Sequence, residues 1–170
     1  IYIEVGEEIK LKDLLYGLML RSGNDAASMI AAYVSGSVEE FVKLMNNKAK
    51  ELGMKNTIFY TPSGLPTPHG NLSSVYDMAI LTRYAMQNKE YREIVSTKKY
   101  KTATNKKAYI WHNKNKLLKY DYITGGKTGY TEESGRTLVS TANIDNMNLI
   151  VVTIRDGDDW NTHLELYNYA

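Results

Sequence analysis

The sequence predicts an α+β protein, with helices gathered in its first half and an antiparallel sheet in its second. Three observations carry this expectation. Apolar residues recur at helical spacing as far as about residue 86. The period changes to that of strands from about residue 98. All three prolines sit in one loop, so neither regime is broken by a proline elsewhere. Helices followed by strands, rather than alternating with them, indicate a helical lobe beside an antiparallel sheet. The helical lobe is expected over about 1–95 and the sheet lobe with a final helix over about 96–170.

Leu11, Leu14, Leu15, Leu18 and Met19 mark an amphipathic helix over roughly Lys10 to Leu20. Arg21-Ser22-Gly23-Asn24-Asp25 breaks it, and Ala26, Met29, Ile30 and Tyr33 begin a second apolar face. Ser37 to Glu40 fits a capping box for a third helix, with Phe41, Leu44, Met45, Lys48 and Leu52 on one face and Gly53 placed to end it. The stretch from Thr61 to Pro68 is a loop, after which Ser73 or Ser74 caps a helix over about Val75 to Met86. Lys98 to Thr104 and Ala108 to Trp111 suit a hairpin. Thr124 to Thr131, Arg136 to Asn143 and Asn148 to Arg155 suit three further strands, with a tight turn at Asp145-Asn146. Leu149 to Ile154 is apolar enough to be buried on both faces. Asp158 or Asp159 can cap a last helix through Tyr169.

A chain of 170 residues is enough for one domain with a sizeable core. A net charge of +2 argues against a dedicated nucleic-acid surface, so no nucleic-acid partner is expected. Cysteine is absent, which removes disulfides, thiolate metal sites and a cysteine nucleophile. The uncharged stretch between Asp25 and Glu39 is too short and too polar to span a bilayer. Fourteen tyrosines are an unexplained excess. Ile1 to Val5 reads as the middle of a domain, and the last residues stop inside a helical pattern, so the chain is expected to be part of a longer one.

Two tripeptides carry the chemistry. Ser22-Gly23-Asn24 lies in the turn between two helices, and Lys127-Thr128-Gly129, preceded by Gly125-Gly126, lies in a strand. Each alone is a common polar turn or strand end. In this order and context they form the second and third signatures of penicillin-binding serine enzymes. Longer stretches agree: Asp13-Leu14-Leu15-Tyr16-Gly17-Leu18-Met19-Leu20 running into Ser22-Gly23-Asn24-Asp25-Ala26-Ala27, then Thr61-Pro62-Ser63-Gly64-Leu65-Pro66 with Tyr76-Asp77-Met78-Ala79, then Gly126-Lys127-Thr128-Gly129-Tyr130-Thr131. Over essentially its whole length the chain resembles the low-molecular-mass penicillin-binding proteins that are serine-type D-Ala-D-Ala carboxypeptidases, peptidase family S11.

The resemblance implies a β-lactamase/transpeptidase-like fold, incomplete at the N-terminus, and an acyl-enzyme route that removes the terminal D-Ala from peptidoglycan stem peptides. It implies no cofactor and no metal. It implies β-lactams as covalent inhibitors of the intact enzyme and a location on the cell-wall side, and it allows membrane attachment through a C-terminal region not present here. Ser22 is then a proton relay, since a hydroxyl both donates and accepts. Asn24 offers an amide to the substrate and to a catalytic lysine. Lys127 faces the substrate carboxylate, which Thr128 or Thr131 can also bond. Gly129 lets substrate approach the strand, and the backbone N–H of Tyr130 is one oxyanion donor. Lys114 sits where some relatives carry a basic residue near the carboxylate.

The nucleophile is where the chain departs from the family. Its Ser-x-x-Lys motif should precede Ser-x-Asn, yet residues 1–21 contain no serine. Ser96-Thr97-Lys98-Lys99 matches formally but is expected in a strand-like run, where positions i and i+3 point to opposite faces. His69, His112 and His163 are too scattered for a metal site. Asp77 is expected to serve as a structural hydrogen-bonding group, and Lys98 to Lys107 as a solvated hairpin. Two rivals remain at this level. A class A β-lactamase would show Ser-Asp-Asn and a Glu base on the intervening loop, neither of which is present. A non-catalytic cell-wall peptide-binding fragment fits a chain without its nucleophile.

Overall fold

The computed structural model describes residues 1–66 and 69–170. The Thr67-Pro68 end of the expected proline loop lies outside the described residues. Three helices come first: α1 (Leu11–Arg21), α2 (Asn24–Ser35) and α3 (Val38–Glu51). α1 buries Leu14, Tyr16 and Leu20, and α2 packs against it with the small side chains of Ala26, Ala27 and Ala31. Only two residues, Ser22 and Gly23, separate the helices, so the break is shorter than the sequence suggested. The Ser37 hydroxyl accepts the Glu40 N–H at 3.1 Å, one half of the capping box. The Glu40 carboxylate turns to Lys43 instead.

α4 (Val75–Ala85) is capped by Ser74. Asp77, in its first turn, is almost fully buried and accepts from the Asn56 N–H and the Thr57 hydroxyl, each at 2.7 Å. That is the structural role expected of it. A fifth helix, α5 (Lys89–Ser96), has no counterpart in the sequence reading. Asn88 caps it by accepting from the Glu90 and Tyr91 N–H groups. Ser96 is therefore the end of a helix and not part of a strand.

β1 (Lys99–Ala103) and β2 (Ala108–His112) form the hairpin, whose buried face sets Tyr109 and Trp111 against Tyr16, Leu20 and Ile94. The tyrosine excess has a physical reason here. Tyr16 and Tyr100 stack with centroids 3.7 Å apart, and two rings of this cluster end in hydroxyls that donate to carboxylates: the partly buried Tyr100 to Asp13 at 2.6 Å and the buried Tyr109 to Glu7 at 2.7 Å. The hairpin lysines are not all solvated. Lys107 bonds Glu4 and the Tyr2 carbonyl, and Lys106 bonds the Val5 carbonyl.

A short 3-10 helix (Lys116–Lys119) leads into an antiparallel sheet of β3 (Ile123–Thr131), β4 (Gly135–Ile144) and β5 (Met147–Ile154), in the order β3-β4-β5. Asp145 and Asn146 both take positive φ, as a two-residue hairpin turn requires. β5 is an edge strand and only half-buried along its middle, so part of its apolar run from Leu149 to Ile154 is exposed in this chain. α6 (Asp159–Tyr169) covers β4 and β5. Its expected cap is absent: the Asp158 carboxylate bonds the Asn161 side chain, and Asp159 pairs with Arg136. The core beneath comprises Leu117, Leu118, Ile123, Leu138, Ala142 and Tyr167.

β3 is pressed against its surroundings at its first half. A Cβ on Gly125 would overlap the Val95 side chain of α5, and one on Gly126 would overlap the Val139 carbonyl. The Asn115 amide also donates to the Gly125 carbonyl at 3.2 Å. Two consecutive glycines are what this approach demands.

Candidate active site

The turn between α1 and α2 faces β3. Ser22 closes α1 in the left-handed conformation, φ 57° and ψ 47°, with its N–H on the Leu18 carbonyl at 2.9 Å. Gly23 follows, its N–H reaching back to the Gly17 carbonyl at 3.3 Å. A left-handed serine costs about 1–2 kcal/mol. Here the helix-ending bonds hold it there and turn its hydroxyl toward the sheet.

Lys127 reaches across from β3. Its Nζ donates to Ser22 Oγ at 2.5 Å, joining residues 105 apart in sequence, and also to the Thr128 carbonyl. Among the described residues, no carboxylate lies within ion-pair distance of this ammonium. Burial pulls its pKa down from 10.5 to about 8, and the like charge of Lys114 adds to the effect. The Lys114 N–H is fixed to the Leu20 carbonyl at 3.2 Å, beside the end of α1. A partly buried cation with a hydroxyl partner and no carboxylate partner among the described residues is able to receive an anion.

The remaining candidates line up around this contact. Asn24 is the first residue of α2, with an exposed side chain that has no hydrogen-bond partner among the described residues. Thr128, Gly129, Tyr130 and Thr131 continue along β3, the free edge of its sheet. Tyr130 is 69% exposed. The missing Cβ of Gly129 is filled by the Thr137 hydroxyl of β4, so sheet packing alone already calls for glycine there. The Thr131 hydroxyl shares a hydrogen bond with Ser134 at 2.8 Å. The geometry thus brings Ser22 and Lys127 into direct contact and places the others nearby along two elements.

Ser96 and Lys99 are not a catalytic pair, though for a different reason from the expected one. Ser96 ends α5, its hydroxyl donating to the Glu93 carbonyl at 3.2 Å, while Lys99 opens β1. A second serine, Ser140, does meet a histidine: Ser140 Oγ and His163 Nδ1 are 2.6 Å apart. Both are wholly buried, and Ser140 also contacts the Tyr167 hydroxyl at 2.8 Å, so this is a core network with no access for substrate. Nothing in the sequence pattern distinguished His163 from His69 and His112. Among the described residues, no group of three or more His, Cys, Asp or Glu is arranged to hold a metal, and no helix is long and apolar enough to cross a membrane.

Comparison with known proteins places this geometry in context. The family model for D-alanyl-D-alanine carboxypeptidase, peptidase S11, matches residues 1–158. The D-alanyl-D-alanine carboxypeptidase DacF of Bacillus subtilis is 44% identical over 154 residues, 89% of this chain and 39% of that protein. DacA of Haemophilus influenzae is 37% identical over 158 residues, 90% of this chain and 39% of that one. The chain thus spans about two fifths of the length of these curated relatives. Among solved structures, a Streptomyces DD-transpeptidase superposes with a TM-score of 0.85 at 32% identity, covering 90% of this chain and 63% of that one. A D-alanyl-D-alanine carboxypeptidase from Mycobacterium tuberculosis superposes with a TM-score of 0.85 at 31% identity, covering 91% and 59%.

Proposed function

The chain belongs to the peptidase S11 family of D-alanyl-D-alanine carboxypeptidases, and from that premise we propose that it forms the carboxylate-binding and proton-relay part of a serine D-Ala-D-Ala carboxypeptidase. The observation that carries the reading is the Lys127–Ser22 contact: a half-buried ammonium with no carboxylate partner among the described residues, 2.5 Å from a hydroxyl, on the edge strand of its sheet.

In this reading a stem peptide ending in D-Ala-D-Ala lies along β3 as an added strand. Lys127, with Thr128 or Thr131, receives its terminal carboxylate. A serine supplied from outside these 170 residues attacks the carbonyl of the penultimate D-Ala. The oxyanion that forms is met by the Tyr130 N–H. Collapse breaks the C–N bond, and Ser22 relays to the leaving amine the proton taken from the nucleophile, releasing D-Ala. Water then hydrolyses the serine ester and restores the serine. Asn24 orients the substrate amide from the α2 side. A β-lactam presents the same carboxylate beside a strained amide and acylates the same serine. The work is done on the cell-wall side of the membrane.

The test is intact-protein mass spectrometry after incubation with a reporter penicillin, alongside an assay for D-Ala release from a D-Ala-D-Ala peptide. The complete enzyme is expected to form a one-to-one adduct and to release D-Ala. The chain of residues 1–170 alone is expected to form none. An adduct mapping to any serine between Ile1 and Ala170 would overturn this account of the nucleophile, and a folded complete protein that does neither would overturn the function.

A further inference from the structure

Charge is unevenly spread along the chain. Between Glu93 and Asp121 there are eight lysines and no Asp or Glu, while the rest of the molecule holds the other 13 Lys and Arg against all 19 acidic residues. A segment of +8 therefore sits on a remainder of −6. The segment folds as the β1–β2 hairpin and the 3-10 helix after it. Side chains alternate between the two faces of the hairpin. Tyr100, Tyr109 and Trp111 turn inward onto α1. Lys99, Lys101, Ile110 and His112 point outward, Lys99 opposite His112 and Lys101 opposite Ile110. The exposed Lys114 follows past the end of β2.

Carboxylates approach this hairpin from behind. Asp13 accepts from the Tyr100 and Thr102 hydroxyls, and Glu7 from those of Tyr109 and Thr104. Among the described residues, no carboxylate pairs with Arg21, Lys99, Lys101 or Lys114. The tip is tied down by Asn105 on the Gly6 carbonyl and Lys106 on the Val5 carbonyl, so the face is held ready for a partner. The base meets the candidate site, since Arg21, next to Ser22, donates to the His112 carbonyl at 3.2 Å. Lys99 and Lys101 stand about 7 Å apart along their strand, and the two strands lie about 5 Å apart. A row of cations on so narrow a ribbon fits a linear polyanion rather than a single ion. Ile110, 58% exposed, is the one large apolar side chain on this face, too little to seat it in lipid. With its Tyr and Trp rings turned inward, the face lacks the platform on which nucleic-acid bases stack.

We propose that the outer face of the β1–β2 hairpin binds a linear phosphodiester polymer without bases, and that a polymer laid there runs toward the Ser22 end of α1. The readout is binding and not turnover, so it is decided separately from the carboxypeptidase reading. The complete enzyme is titrated with poly(glycerol phosphate) at several salt concentrations. Four cations, Arg21, Lys99, Lys101 and Lys114, give a log–log slope of about −2.8, so that raising salt from about 50 to about 200 mM weakens binding about 50-fold. In Lys99→Gln/Lys101→Gln the slope is expected to fall to about −1.4, and the same rise in salt to weaken binding about sevenfold. Both side chains are exposed, and an unchanged thermal midpoint confirms that the variant is folded. Lys43→Gln/Lys48→Gln removes the same charge from α3 and is expected to bind as wild type does. Equal weakening in the two double variants would make the binding a matter of net charge and overturn the proposal. Failure to bind the polymer at low salt overturns it too. So does tighter binding of phosphatidylglycerol vesicles, or of a single-stranded oligonucleotide with the same number of phosphates, either of which assigns the face to another partner.

Discussion

His163 sits between α6 and the sheet with no exposed surface and with both ring nitrogens held, Nδ1 by Ser140 at 2.6 Å and Nε2 by Thr153 at 3.1 Å. Burial pushes its pKa down from 6.5 to about 4, with Asp159 and Asp156 only partly opposing the shift. The folded protein therefore keeps the ring neutral where the unfolded chain would protonate it. Its contribution to stability is complete above about pH 6.5 and is lost as pH falls toward 4, below which the folded form also takes the proton and the loss levels off. The interval between 4 and 6.5, at about 1.4 kcal/mol per pH unit, is worth about 3 kcal/mol. Urea unfolding of the protein at intervals from pH 7.5 to 4.5 should show this slope, and His163→Asn should flatten it, whatever that variant costs at neutral pH. Parallel slopes for the two proteins, or a His163 ring that titrates near 6.5 by NMR in the folded state, would refute the reasoning.

Four further outcomes are expected of the complete enzyme. Lys127→Ala should slow acylation by peptide and by penicillin alike, by about 10²–10³-fold, the loss of a transition-state contact worth about 2.7–4 kcal/mol; stopped-flow acylation rates measure it. Ser22→Ala should lower turnover more than initial binding, so that kcat falls while the penicillin dissociation constant for the non-covalent step changes little. Because the Lys127 ammonium titrates near 8, its hold on a carboxylate should be full at neutral pH and fade as pH rises through that value, and a pH profile of acylation in wild type reads this directly. Gly125→Ala should cost about 1–3 kcal/mol by overpacking against Val95, lowering the thermal midpoint and the acylation rate together.

The helices with a strong apolar face and an explicit cap were legible in the sequence. Ser37 and Ser74 both cap as such residues should, and Asp145-Asn146 makes its turn because both residues tolerate positive φ. α5 was not legible. Its eight residues are too few to show a period, and only Ile94 and Val95 are buried; the signal that was present is Asn88 two residues before Glu90. In the site, the two tripeptides could be picked out, but their meeting could not. Nothing local tells Ser22 that Lys127 will arrive from 105 residues away. Nor does spacing reveal the buried pairing of Ser140 with His163, which depends on how α6 lies across the sheet.

The glycine pair at the start of β3 gives the Ser22–Lys127 contact an unusual dependence. The contact is gauged by missing atoms: a strand seated one methyl group further from Val95 would carry Lys127 with it. A shift of a methyl group's width exceeds the range over which an N–H···O hydrogen bond holds, about 2.7–3.2 Å, so the contact would have to be remade. Loops elsewhere on the surface can lengthen, change charge or accept new side chains without moving this seat, because they do not set it. A single carbon added at Gly125 or Gly126 meets Val95 or the Val139 carbonyl and so alters the seat from which Lys127 reaches Ser22. Variation in specificity should therefore accumulate at the rim, while the seat of the strand stays bare.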